Sequence, residues 1–496
     1  MMQQFNHWIQ QFSTFMAQVD QTPFAQGILT FKNFLWDYIL LFLLVGIGIY
    51  LSVTLKFPQL RYLFPSLKKM LGDIIKKKPS KEGTMTPFQS LATAVASQVG
   101  TGNIIGVATA IAAGGPGAGF WMLVSAFFGM ATIFSEAVLA QIYRTKIHGE
   151  TCGGPAYYLR NGLHSRFLST FFAIFCILGL GIVGVMVQSS AVVQSFHASF
   201  GLPRAWVTLA LAVIVGIILA GGMGRIAKFS ETVVPFMAFA YIFASLVIIC
   251  MNLGQFLPAL LSIVQGAFAP QAIFGGVLGI SIRESMRFGI ARGLFSNEAG
   301  MGSTPHSHAT ADVKHPVEQG MTSMIGVFIC TFLICLSTAM INLVSGAYDP
   351  TMPQAELSAF AELMTQTAFG LSFGRIGEGF LTIALSSFAL TTIVGWYFFA
   401  EANVKFLFGR NKLFVQSFRV ISIFFLVLGP TLGGDFIWTL ADLFMGLMAL
   451  PNIIGLALLH KKTTACLNDY IAQSRAGREP LWTRPETIQG MEESDQ

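Results

Sequence analysis

The chain has 496 residues, of which 54% are hydrophobic and only 11% charged, against about 25% charged in soluble proteins. That balance excludes a string of ordinary soluble domains and points to one polytopic, all-α membrane domain. The net charge of +6 brings no nucleic acid with it, because the basic residues sort by membrane side and do not form aromatic-rich patches.

A membrane span needs about 20 apolar residues, and the sequence offers about eleven such stretches, near 36–56, 86–113, 118–142, 166–198, 205–223, 231–252, 273–303, 319–346, 376–408, 414–433 and 435–459. Ahead of the first, Phe5, Trp8, Ile9, Phe12, Phe15 and Met16 recur at helical spacing. They predict an interfacial helix within an extracytoplasmic segment 1–35. Residues 1–30 lack the basic start and apolar core of a cleavable signal peptide. With the loop 56–85 placed inside, 23 of the 30 Lys and Arg lie in segments on that side. The positive-inside bias then puts the N-terminus outside and the tail 461–496 in the cytoplasm of a multi-pass inner (plasma) membrane protein.

If the first span is an extra helix, ten remain in the domain 36–460. They divide into two fives, from about 86 to 252 and from about 273 to 460. Five is odd, so the two sets enter from opposite sides, the condition for an inverted-topology repeat. The long connection 346–375 carries Asp349, Glu356 and Glu362 with amphipathic spacing, which predicts outer-face helices able to act as a lid.

Two glycine-broken stretches stand out: Val99-Gly100-Thr101-Gly102-Asn103, and Gly293-Leu294-Phe295-Ser296-Asn297-Glu298-Ala299-Gly300. Each falls in the first helix of its own five. Glycine costs a helix about 1 kcal/mol, so each is an expected unwinding point. Irregular backbone at membrane depth is tolerated only inside protein or along a cavity. It frees N–H groups that suit a carboxylate and carbonyls that suit Na⁺ or an ammonium group. A lone G-x-G reads better as a tight helix crossing; a matched pair points to a central binding site.

Around the first break, Gln98, Thr101 and Asn103 add polar groups. At the second, Phe295 offers an apolar wall, and Ser296 and Asn297 hydrogen-bonding groups. Glu298 is either a functional acid at membrane depth or half of an ion pair with Arg292, and Glu136 poses the same question with a structural role favoured. Gln188 is costly in its apolar run unless paired. Thr391 and Thr392, with Ser386 and Ser387 before them, offer hard oxygen ligands for Na⁺, the alternative being back-bonding to the preceding helical turn. Trp396 shares a helix face with Thr392. His306, His308 and His315 sit in an expected cytoplasmic loop without a matching Cys or acid pattern, so no metal centre is read there. The six cysteines form no C-x-x-C pair and read as small core residues. No nucleophile-elbow, Walker or zinc-protease signature is present, so no enzyme, resident cofactor or direct ATP drive is expected.

Several of these motifs resemble the alanine or glycine:cation symporter family. They are Ser97-Gln98-Val99-Gly100-Thr101-Gly102-Asn103-Ile104, the run from Gly114 to Met122, Glu136 with its neighbours, Cys152-Gly153-Gly154-Pro155, the run from Arg292 to Gly300, and Gly395-Trp396. The likeness covers roughly residues 36–460. It implies the LeuT-type 5+5 fold of the amino acid–polyamine–organocation superfamily, with one extra N-terminal helix. It further implies import of alanine or glycine with Na⁺ as coupling ion. By the resemblance, Thr101, Gly102, Phe295, Ser296 and Asn297 hold the substrate backbone. Gln188 and Trp396 complete the pocket, with Trp396 limiting side-chain size. The Na⁺ ligands would be the carbonyls of Ala96 and Val99 and the hydroxyls of Thr391 and Thr392. The rival readings are a proton-coupled carrier using Glu298 or Glu136, and a membrane sensor that binds an amino acid without moving it.

Overall fold

The computed structural model describes residues 22–76, 81–147, 149–268, 282–409, 411–432 and 435–483. The interfacial helix expected before residue 22 lies outside them, as does the start of the stretch near 273–303. In chain order the helices are α1 (Pro23–Thr54), α2 (Pro58–Lys76), α3 (Pro87–Gln98), α4 (Ile105–Gly114), α5 (Gly117–Ile142), α6 (Pro155–Gly162), α7 (Arg166–Phe200), α8 (Arg204–Ala220), α9 (Gly222–Met251), α10 (Leu253–Phe268), α11 (Ile282–Asn297), α12 (Pro305–Ala309), α13 (Pro316–Val344), α14 (Gln354–Phe408), α15 (Lys412–Leu432) and α16 (Asp435–Arg475). A two-stranded antiparallel hairpin, β1 (Thr145–Ile147) with β2 (Glu150–Cys152), links α5 to α6.

Among the described residues, eight helices are long and apolar enough to cross a membrane, or nine when α3 and α4 count as one bent span. α8 is shorter, at 17 residues. Two boundaries differ from expectation. α1 begins at Pro23 and not near residue 36, because Thr22 caps it by accepting from the Ala25 N–H at 3.2 Å. α16 runs on to Arg475, so the first part of the expected tail is helical.

Burial orders the bundle. The apolar windows of α5 and α14 are 78% buried, whereas those of α9 and α15 are 33% and 22% buried. α5 and α14 therefore form the centre, and α9 and α15 present most of their surface outward. Between apolar helices in lipid the hydrophobic drive is lost, so close packing of small residues must hold them. The α5–α11 crossing does this. A Cβ on Gly289 would lie 2.3 Å from the Ala118 carbonyl oxygen, and one on Gly293 would lie 2.5 Å from Ser125 Oγ. This corrects the expectation for Gly293. It sits inside α11, one helical turn after Gly289, and serves the crossing rather than unwinding the helix.

α14 is kinked at Gly374 (φ 60, ψ −148). Its outer arm buries Leu357, Ala361, Met364 and Ala368, spaced by three or four residues, against Val107, Ala108 and Ile111 of α4 and Met122 of α5. Gln354 Nε2 pins the arm by donating to the Ala112 carbonyl at 3.1 Å. The amphipathic 346–375 segment thus covers the far end of α4.

Candidate functional site

α3 starts with a capping box, Thr86 with Gln89, and Pro87 in its first turn. It stops at Gln98, and the chain bends by 64° before α4 continues. A short 3₁₀ turn, Thr101–Asn103, fills the bend. The Gly100 N–H donates to Asn103 Oδ1 at 2.9 Å instead of continuing the ladder. Carbonyls at the end of α3 converge on one hydroxyl of α14: Thr392 Oγ1 lies 3.1 Å from Ala96 O, 3.4 Å from Ser97 O and 3.3 Å from Val99 O, and 3.0 Å from Phe388 O in its own helix. A hydroxyl has one hydrogen, so it satisfies one of these four oxygens at a time. Gly100 is required here, since a Cβ would lie 2.6 Å from Thr392 Oγ1. Thr391 does not join the cluster; its hydroxyl donates to Phe388 O at 2.9 Å and faces Met237 Sδ of α9 at 3.7 Å.

The second break begins later than the sequence suggests. α11 stays helical through Asn297, and the chain then passes through Glu298 (φ 57), Gly300 (φ 88) and Gly302 (φ 82) before α12. A left-handed non-glycine residue costs roughly 1–2 kcal/mol, and the hydrogen bonds to the buried Glu298 carboxyl group offset it. Trp396 Nε1 donates to Oε1 at 2.7 Å and Ser303 Oγ donates to Oε2, while Ser97 Oγ lies 3.2 Å from Oε2 and shares its one hydrogen with the Ala94 carbonyl at 2.7 Å. Arg292 is not the partner; its guanidinium lies over the Phe295 ring, 5.8 Å from the centroid. Glu136 holds the same turn from α5: its Oε1 accepts from Gly302 N at 3.1 Å and from Asn452 Nδ2 at 2.6 Å. Asn452 Nδ2 also reaches the Gly300 carbonyl at 2.8 Å, and the Tyr158 hydroxyl donates to Asn452 Oδ1.

The two breaks meet. Gln98 Nε2, just before the first, donates to the Asn297 carbonyl at 2.7 Å. A Cβ on Gly102 would lie 3.4 Å from Phe295 Cδ1. Thr101 N donates to Gln188 Oε1 of α7 at 3.4 Å. Thr101 Oγ1 and Gln98 Oε1 are buried without a hydrogen-bond partner. Such groups cost about 1–3 kcal/mol each; a polar ligand between the breaks would recover that of Thr101, whereas Gln98 Oε1 faces Gly326 of α13. Asn297 is held by its own turn, accepting from Ala299 N at 3.0 Å and donating to Thr331 Oγ1 at 3.3 Å. The Trp396 ring packs on Gly184 of α7, where a Cβ would lie 2.7 Å from it.

The structure thus brings together Thr101, Gly102, Gln188, Phe295, Ser296 and Asn297, reaches Trp396 through Glu298, and gathers Ala96, Val99 and Thr392 beside them. Ser97 and Ser303, which clamp Glu298, were not singled out in the sequence, and neither were Cys330 and Cys335 as site residues. The expected histidine loop is also different: all three histidines are buried. His306 stacks between Phe172 and Phe399, and His308 Nδ1 pairs with Gln319 Nε2 at 2.8 Å. His315 caps α13.

A bundle of membrane-spanning helices that holds one bent, interrupted span against the irregular turn that ends a second helix fits a membrane transporter. The chain belongs to the sodium:alanine symporter family, which it matches over residues 21–484. It is 38% identical to the sodium/alanine symporter of Methanococcus maripaludis, covering 88% of this chain and 95% of that one. It is 40% identical to the probable sodium/glutamine symporter of Bacillus subtilis, covering 91% of each. The amino-acid carrier protein AlsT of B. subtilis is 36% identical, with 94% of this chain and 96% of that one covered. Among solved structures, a manganese transporter mutant of Eremococcus coleocola shares 14% identity at a TM-score of 0.48, over 82% of this chain and 83% of that one. The protein is an amino-acid transporter of the symporter type, not an enzyme.

Proposed function

We propose that this chain imports a small neutral amino acid, alanine or glycine, together with Na⁺, by alternating access. The observation that carries the reading is the convergence of the Ala96 and Val99 carbonyls on the Thr392 hydroxyl at the first break. A hydroxyl within reach of several carbonyls marks a place where hard oxygen ligands already face one another, as Na⁺ requires. Thr392 turns its lone pairs to the ion when its hydrogen goes to Phe388 O. Thr391 joins only after rotating its side chain away from Met237. Na⁺ at this point links the end of α3 to α14 and stabilises the bend.

The amino acid then lies between the breaks. Its carboxylate takes the N–H groups and hydroxyl around Thr101 and Gly102, where the start of the following half-helix adds its dipole. Its side chain faces Phe295, with Gln188 and Trp396 closing the pocket and Ser296 and Asn297 on the opposite wall. In this reading the spans form two inverted fives, 86–252 and 273–460, behind the extra helix α1, with the N-terminus outside and the basic loops in the cytoplasm. The family match and the M. maripaludis relative support alanine and Na⁺; the name of the B. subtilis glutamine relative supports a larger side chain instead.

Uptake into proteoliposomes with a panel of labelled amino acids tests this. Alanine or glycine should accumulate under an inward Na⁺ gradient and not when choline replaces Na⁺. Uptake that follows a pH gradient without Na⁺ identifies the proton-coupled carrier, and binding without uptake identifies a sensor.

A further inference from the structure

α13 crosses the site with a π-helical stretch, Phe328–Cys335. In an α-helix, residues five apart point roughly 140° away from each other. Bonding from i to i+5 brings them close to one line, and such bulges mark functional positions. Here they turn Cys330 and Cys335 toward the same junction, both fully buried. Asn103 Nδ2 of the first break lies 3.0 Å from Cys330 Sγ and 3.4 Å from Cys335 Sγ. Ser296 Oγ of the second lies 3.5 Å and 3.2 Å from the same two atoms. The Cys330 thiol also donates toward one carbonyl from each break, Gln98 O at 3.5 Å and Ser296 O at 3.3 Å.

A thiol is a weak donor, and an ammonium group makes far stronger, charge-assisted bonds. We propose that Cys330 and Cys335 form the third wall of the amino-acid site, and that Cys330 is a specificity-determining residue whose S–H covers the Gln98 and Ser296 carbonyls until the substrate ammonium takes them. The inference rests on the amino-acid site described above. It adds that the bound substrate covers Cys330, and that sulfur at this position sets how deeply the ammonium sits.

The test is alkylation of Cys330 in the full-length protein in proteoliposomes, followed by peptide mass spectrometry. The probe is N-ethylmaleimide, whose double bond takes the sulfur at one carbon and the thiol proton at the other. At saturating Na⁺, a transported amino acid at ten times its half-saturating concentration should slow labelling of Cys330 about tenfold. Cys330→Ala removes the thiol that competes for the two carbonyls and should lower the KM for the amino acid about fivefold while half-saturating Na⁺ stays unchanged. Cys330→Ser, whose O–H is the stronger donor, should hold the carbonyls more firmly and raise the KM above the wild-type value. Equal labelling rates with and without the amino acid overturn the proposal, as does a wild-type KM in Cys330→Ala. If Cys330→Ala fails to insert, wild-type labelling and Cys330→Ser carry the test. If alanine and glycine are not moved but another amino acid is, protection is scored with that one: the substrate assignment then fails, and the thiol proposal is judged separately.

Discussion

At the first break, backbone carbonyls, a glycine N–H and single neutral side chains hold the chain open. At the second, two buried carboxylates, Glu298 and Glu136, clamp a turn that contains three left-handed residues. The bonds at the first break can be exchanged one for one with those of an ion or a zwitterion, leaving no charge stranded. Those at the second hold a left-handed turn in place, and losing one leaves a buried carboxyl group without its partner. The comparison therefore assigns exchange to Val99–Asn103 and support to Glu298–Thr304, with Gln98 and Ser97 as the bonds between them.

The largest effect that would test this division is on the supporting side. Gly302→Ala should destabilise the protein by about 3 kcal/mol or more, since its φ is 82° and the new Cβ would lie 2.8 Å from Pro155 and Phe172 atoms. The melting temperature and inserted yield in detergent read this directly; a stable variant would show that the second turn is not rigid. Glu298→Ala takes the acceptor from the Trp396 and Ser303 donors and should cost about 2–3 kcal/mol, also seen in the melting temperature. Glu298→Gln keeps the shape and should retain Na⁺-driven uptake; uptake lost with folding intact would move Glu298 from support to coupling.

On the exchanging side the effects are smaller and specific. Thr392→Ala should raise half-saturating Na⁺ about tenfold, equivalent to about 1.4 kcal/mol, with little change in melting temperature. Thr391→Ala, whose hydroxyl faces Met237, should shift it far less. Equal shifts in Na⁺-titrated uptake would mean that Thr391 rotates into the cluster. Trp396→Ala also removes a donor of Glu298 and should lower the melting temperature; in the protein that folds it should admit larger side chains with a change of a few-fold in the KM ratio, read by competition among neutral amino acids.

The first break was legible because Gly100 and Gly102 lie two residues apart among polar residues in an otherwise apolar run, and a second glycine-rich stretch answers them in the other half. The second was misplaced at its start because a glycine carries two signals: Gly293 and Gly289 allow α5 and α11 to touch, while Gly300 and Gly302 permit left-handed turns, and composition does not separate the two. Arg292 beside Glu298 suggested an ion pair from sequence distance alone, yet α11 carries Arg292 over Phe295 while the turn sends Glu298 toward α14. Cys330 and Cys335 read as core because five-residue spacing places them apart on an α-helix; only the π stretch brings them together. The buried histidines were missed because His306 and His308 lie on a five-residue helix too short to show periodicity.

The central claim is that ion and amino acid share the junction of the two breaks. Its most direct measurement is the dissociation constant for alanine on purified protein, titrated across Na⁺ concentrations in wild type and in Thr392→Ala. Linkage requires that Na⁺ strengthen alanine binding and alanine strengthen Na⁺ binding by the same factor. The account predicts that wild-type affinity for alanine rises with Na⁺ until the ion site saturates, and that Thr392→Ala moves this rise to higher Na⁺. An alanine affinity indifferent to Na⁺ in the wild type would contradict it.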